Sequence, residues 1–220
     1  MGLFDRFFKS KAPTPPPEPP VEPVPKLPPV PGQLPRIAAG TAAEICQQWK
    51  LQPAAEQLLT PRQTPAQFLS VLQEKEMGDE FVKFLAYGLP DLEGVAWAIR
   101  SVEKLPQDKM APADVQALRA AQAWVKNPTE ASKAAAAAAT AKTDYQSPAA
   151  WAAQAAAWAQ IPAPDRNSVG GAQRLTPHAV AGCVLLAATI APAGEKGTFR
   201  AQYPFIALGL EIASGTSAPA

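Results

Sequence analysis

The sequence predicts an all-α fold: a single irregular bundle of about nine helices, preceded by a disordered Pro-rich arm and a short N-terminal amphipathic helix. Three observations carry this. Thr176–Pro192, TPHAVAGCVLLAATIAP, holds no charge from Ala179 to Ala191, so a helix there is apolar all the way round and belongs inside a core. The residues before it are punctuated again and again by helix-start signals of the Ser/Thr-x-x-Glu/Gln and Thr-Pro kind. No stretch alternates with period two over β-branched residues.

The elements follow in order. Residues 1–11, MGLFDRFFKSK, place Leu3, Phe4, Phe7 and Phe8 on one helical face and Asp5, Arg6 and Lys9 on the other. That pattern suits an anchor for a membrane interface or a partner's groove, or a terminal helix folded back on its own domain. Asp5 and Arg6 break any apolar run, so no signal peptide is expected. Arg6 stands where myristoylation wants Ser or Thr. The expected location is the cytoplasm, with a peripheral seat at the inner membrane open through residues 1–11.

Residues 12–35 form a linker with twelve prolines between Pro13 and Pro35. Proline lacks the helix donor, so the segment favours polyproline II and reaches roughly 70 Å as a stiff spacer. Spacings such as Pro25–Pro28 arise by chance at this density and do not by themselves mark an SH3 ligand.

Residues 36–213 are read as the helical domain and 214–220 as a disordered tail. Thr41-Ala-Ala-Glu44 reads as a capping box opening a helix with Ile45 and Trp49 on one face. Pro53–Leu59 reads as a short turn of helix. Thr64-Pro65-Ala66-Gln67 is a second capping box, before Phe68, Leu69 and Leu72. Gly78-Asp79 is expected to break that helix. Phe81, Phe84, Leu85 and Gly88 then share a face, Leu89-Pro90-Asp91 turns the chain, and Leu92, Val95, Ile99 and Val102 continue the helical period up to Pro106. Pro112 restarts it with Val115, Leu118, Ala121 and Val125, and Trp124 at the stripe's edge. Asn127-Pro128-Thr129-Glu130 reads as another capping box, feeding the Ala134–Ala139 run. Ser147-Pro148 opens a helix carrying Trp151 and Trp158 two turns apart on one side. The connection Ile161–Leu175 is the longest in the body and the first place to look for a functional loop. Thr176 is expected to cap the apolar rod, with Pro177 first inside. Ala193–Gly197 is a turn, and Tyr203, Ile206 and Leu210 mark a last helix to about Ala213.

With 20 basic and 19 acidic residues the formal charge is +1, which argues against nucleic acid as a partner. Cys46 and Cys183 sit in apolar contexts far apart and read as buried free thiols. The single histidine, His178, lies near a helix start, where a neutral structural imidazole is favoured. No metal-ligand spacing and no nucleophile elbow occurs. Gly194–Thr198 has its lysine before the second glycine and no strand leading in, so it is not a phosphate loop. Catalytic, cofactor and metal sites are therefore all expected to be none. Five tryptophans, at 49, 97, 124, 151 and 158, fill volume that alanine leaves empty. Trp151 and Trp158, on a helix otherwise lacking large side chains, are the candidate partner surface.

Phe84–Pro90 with Trp97, Ala123–Glu130, Pro148–Trp151 and Phe205–Gly215 together resemble a family of uncharacterised Ala- and Trp-rich helical proteins from proteobacteria, some of them associated with secretion-system accessory genes. The resemblance spans Thr41–Gly215 and implies no activity, cofactor or catalytic residue. The function expected is thus a non-catalytic interaction or adaptor domain, tethered through residues 1–11 to a membrane surface or a larger assembly, with a protein as partner. Two alternatives stand beside it: a small enzyme with a pocket near His178 and the 161–175 loop, and a self-associating structural subunit.

Overall fold

The computed structural model describes residues 27–162, 174–190 and 199–217. Expectations for residues 1–11, for the spacer up to residue 26, for the interior of the 161–175 loop, for the 193–197 turn and for the last three residues lie outside the described residues. Among these residues the chain forms ten α-helices and no strand. They are α1 (Ala42–Cys46), α2 (Pro53–Glu56), α3 (Pro65–Glu74), α4 (Gly78–Gly88), α5 (Asp91–Glu103), α6 (Pro112–Lys126), α7 (Glu130–Thr140), α8 (Pro148–Trp158), α9 (Thr176–Ile190) and α10 (Phe199–Ala213). A 3-10 turn, Gln107–Lys109, joins α5 to α6.

Several boundaries differ from the sequence reading, each for a local reason. At α3 the Thr64 box is complete: its N–H donates to Gln67 Oε1 (2.9 Å) and its Oγ1 accepts from the Gln67 N–H (3.3 Å). At α1 the carboxylate of Glu44 instead accepts from the Gly40 N–H, 3.1 Å away, and Thr41 caps alone. That helix ends at Cys46, so Trp49 lies beyond it. Residues 127–130 cap two positions later than read: Thr129 is the N-cap and Ser132 its reciprocal partner. Gly78 does not break a helix but starts one. The break is at Glu76, whose φ of 53° is left-handed, with the Met77 N–H bonded back to Leu72. Thr176 is the first residue of α9 rather than its cap, and its hydroxyl donates to Asp91.

The apolar rod α9 is central, packed by α4, α5, α8 and α10. It shares that place with α5, which packs on α6, α8, α9 and α10 and buries ten of its thirteen residues. The charges at the ends of α5 conceal this in the sequence. Trp97 is its anchor: fully buried, with Nε1–H donating to the Phe205 carbonyl at 2.8 Å. Gly209 permits that approach, since a Cβ there would stand 2.7 Å from the Leu85 and Trp97 side chains. Trp124 is also fully buried, not at an edge.

The alanines have a packing role. In α8 Ala149, Ala150, Ala152, Ala153, Ala155 and Ala156 are all buried, and α5, α6, α7 and α9 close around them. Only small side chains allow four neighbours to approach one helix so closely. In α7 the same residue type mostly faces water, and only Ala136 and Thr140 are buried.

Residues 27–35, assigned by composition to the spacer, lie on the body. Leu34 is buried, Leu27 and Val30 pack against the core, and Gln73 Nε2 donates to the Pro28 carbonyl (3.3 Å). The Arg36 N–H then donates to the Ala213 carbonyl at the end of α10 (3.1 Å).

Candidate interaction surface

The start of α8 is fixed by Ser147, whose Oγ accepts from the Ala150 N–H (3.1 Å) and donates to Asp114 Oδ1 on α6 (2.6 Å). One turn on, Trp151 emerges half-buried. Its Nε1–H donates to the Tyr145 carbonyl (3.1 Å), and a Cβ on Gly182 of α9 would stand 3.7 Å from its indole. Tyr145 and His178 each place a ring centroid 6.4 Å from Trp151, near edge-on. Tyr145 is 43% exposed and holds a left-handed φ of 61°, a conformation uncommon for a bulky residue. His178 is exposed, not packed within the core. Two turns beyond Trp151, about 10 Å along the helix, Trp158 is 38% exposed on the same side. Ile161 and Leu175 are exposed just outside the facing ends of α8 and α9. The two predicted tryptophans thus stand on one helix face, and Tyr145 and His178 join them. Of the other three tryptophans, Trp97 and Trp124 are fully buried, and Trp49, half-buried, stacks on Tyr87 at 4.8 Å.

Beneath this face lies a buried polar knot that the sequence does not reveal. Asp91, at the start of α5, accepts from the Gln160 N–H (2.8 Å), the Thr176 hydroxyl (3.1 Å) and Arg174 Nε (3.2 Å). Arg174, itself buried, also donates to the Leu89 carbonyl (3.0 Å) at the end of α4. One carboxylate therefore ties the turn between α4 and α5 to the end of α8 and the start of α9. An aspartate after proline reads only as a first-turn acid, and nothing local pairs it with an arginine 83 residues away.

Both cysteines are buried and free. Burial, aided by the Glu80 carboxylate, pushes the Cys46 thiol up to about 12, and burial alone raises Cys183. Cys183 Sγ lies 3.1 Å from the Pro148 carbonyl. Neither thiol has the electropositive, accessible setting of a nucleophile. Cavities among the described residues elsewhere include one of about 320 Å³ at the N-terminal ends of α4 and α10 and one of about 180 Å³ between α5 and α6. No group of three or more His, Cys, Asp or Glu that could hold a metal occurs among the described residues. Nor is any helix there long and apolar enough to cross a membrane.

Fold and surface together define a class: an alanine-packed helical domain with most of its large side chains inside and, among the described residues, one row of aromatics on its surface. The chain belongs to DUF6931, a family of unknown function, whose model matches residues 68–213, about two thirds of its length. The match begins within α3 and leaves α1 and α2 outside. No curated protein and no solved structure matches the chain at a significant level.

Proposed function

We propose that the chain is a non-catalytic protein-interaction or adaptor domain that docks a protein partner on the Tyr145–Trp151–Trp158 face. Residues 1–11, with Leu3, Phe4, Phe7 and Phe8, tether it to a membrane surface or a larger assembly. The observation that carries this reading is the exposure of Trp158 and Tyr145 in a domain that buries Trp97, Trp124 and its large phenylalanines. Tryptophan and tyrosine concentrate binding energy where they stand out of a rigid surface. The helix below is held on four sides, so the aromatic row is presented preorganised.

Affinity capture from the source cells with the full chain and with Trp158→Ser/Tyr145→Ser tests the docking face. The variant should keep its far-ultraviolet circular dichroism and its unfolding midpoint in urea, and lose the principal captured protein. An unchanged capture profile removes this face from the reading. Flotation with phosphatidylglycerol-containing vesicles tests the tether: Phe4→Ser/Phe7→Ser should abolish whatever membrane binding the full chain shows.

A further inference from the structure

Residues 27–37 run over the body as an extended strap, and the seat beneath them is built like a peptide site. Leu34 and Ile37, three residues apart, are buried, and Leu27 and Val30, also three apart, pack against the core. Gly88 of α4 makes the floor under Ile37. A Cβ there would stand 3.3 Å from Ile37 Cδ1, closer than ordinary contact.

The polar groups are matched as well. Gln73 Nε2 on α3 donates to the Pro28 carbonyl (3.3 Å), and the Ala213 carbonyl at the end of α10 accepts the Arg36 N–H (3.1 Å). Glu93 of α5 supplies the charge. Its side chain is 9% exposed, and its ion-pair partner among the described residues is Arg36, with Nη1 3.3 Å from Oε1. A buried carboxylate needs a cation, so the seat selects a strap that carries one.

Nothing in these contacts requires strap and seat to belong to one chain. Apolar pegs at a spacing of three, with backbone and guanidinium contacts between them, are how grooves hold proline-rich segments of other molecules. Pro28, Pro29, Pro31 and Pro35 fix φ along the strap, so it gives up little freedom on docking, whichever body receives it. The link to α1 is Ala38–Gly40. Ala38 and Gly40 are exposed, and a Cβ on Gly40 would meet only Glu44 Oε1, at 3.8 Å. From Ile37 to Thr41 the chain can extend about 13 Å, enough to carry the strap to an adjoining body.

The occupant that fits this seat is the one already in it, and every copy of the chain carries it. In a reciprocal exchange each strap contact is made again. The cost of association and any strain in the link are then all that separate dimer from monomer. We propose that two copies of this chain dimerise by exchanging straps, residues 27–37 of each lying in the seat of the other.

Sedimentation equilibrium of the full chain tests the dimer. In one chain the seat meets its own strap at an effective concentration of about 1 mM, so the wild type should move towards dimer as it nears that concentration. Leu34→Ser/Ile37→Ser unseats the strap and should weaken the dimer at least about tenfold. Tyr145→Ser/Trp158→Ser should leave it unchanged, which separates strap exchange from the docking face. Coupling with a short bismaleimide reads the exchange itself, because Cys46 and Cys183 are buried. A chain with Pro28→Cys, incubated near 1 mM with a chain carrying Gln73→Cys, should give a coupled heterodimer. The yield should be about tenfold above that with Ala137→Cys, a position on the exposed side of α7. A wild type still monomeric at 1 mM overturns the proposal. So does a dimer that survives Leu34→Ser/Ile37→Ser, a dimer lost with Tyr145→Ser/Trp158→Ser, or coupling to Gln73→Cys no greater than to Ala137→Cys.

Discussion

Asp91 shows how one residue sets the placement of several helices. Its carboxylate is the only negative charge facing the buried Arg174 guanidinium among the described residues. Asp91→Asn keeps the shape and leaves that cation uncompensated, which should lower unfolding stability in urea by about 3 kcal/mol. Adding Arg174→Met should recover part of the loss, the mark of direct coupling. The thiols make a second residue-scale prediction. Burial holds their protons on in the folded state above the ordinary value of 9.0, with Cys46 reaching about 12. Between those values the unfolded chain binds fewer protons than the folded one, so stability is full below pH 9 and falls as pH rises above it. Stability measured above pH 9 should fall less steeply in Cys46→Ala/Cys183→Ala. Thiol reagents should label the wild type only as it unfolds.

At the scale of the element, the sequence discloses helices better than their neighbours. Thr64, Pro65 and Gln67 announce α3 correctly because a capping box is a local device, complete within four residues. The Asn127–Glu130 reading failed by two positions because two overlapping four-residue patterns compete, and Thr129 with Ser132 wins. Glu76 was illegible for another reason: a left-handed turn normally advertises itself with glycine, and the nearby Gly78 serves close packing instead. Of the candidate surface, Trp151 and Trp158 could be read from large side chains on a small-residue helix. His178 could not, since its approach to Trp151 depends on how α8 and α9 pack, nor could Tyr145, which reaches Trp151 through a left-handed turn just before α8. Alanine's two roles also require the fold. Ala153→Leu in α8 meets four packed neighbours and should cost about 2 kcal/mol in urea unfolding. Ala137→Leu in α7, on the wet side, should change stability by less than about 0.5 kcal/mol.

For the whole molecule, composition draws the border between the proline-rich arm and the body at residue 36, whereas residues 27–35 lie on the body. Leu27, Val30 and Leu34 are apolar residues within a proline tract, and they pack as an extended strap. A chain starting at Arg36 should therefore be less stable than one starting at Leu27 by about 2 kcal/mol, the burial of one large aliphatic side chain, measured by urea unfolding of the two. The family match, starting in α3, leaves that strap outside the matched residues.

The bond from the Arg36 N–H to the Ala213 carbonyl has a mechanical meaning. It clips the end of the 27–35 strap to the end of the last helix. Tension applied across the described ends of the chain would load this clip and the packing of Leu27, Val30 and Leu34 before it stretched α5 or α9. The body then hangs like a bead clipped to a cord, carrying almost none of the load that passes along it.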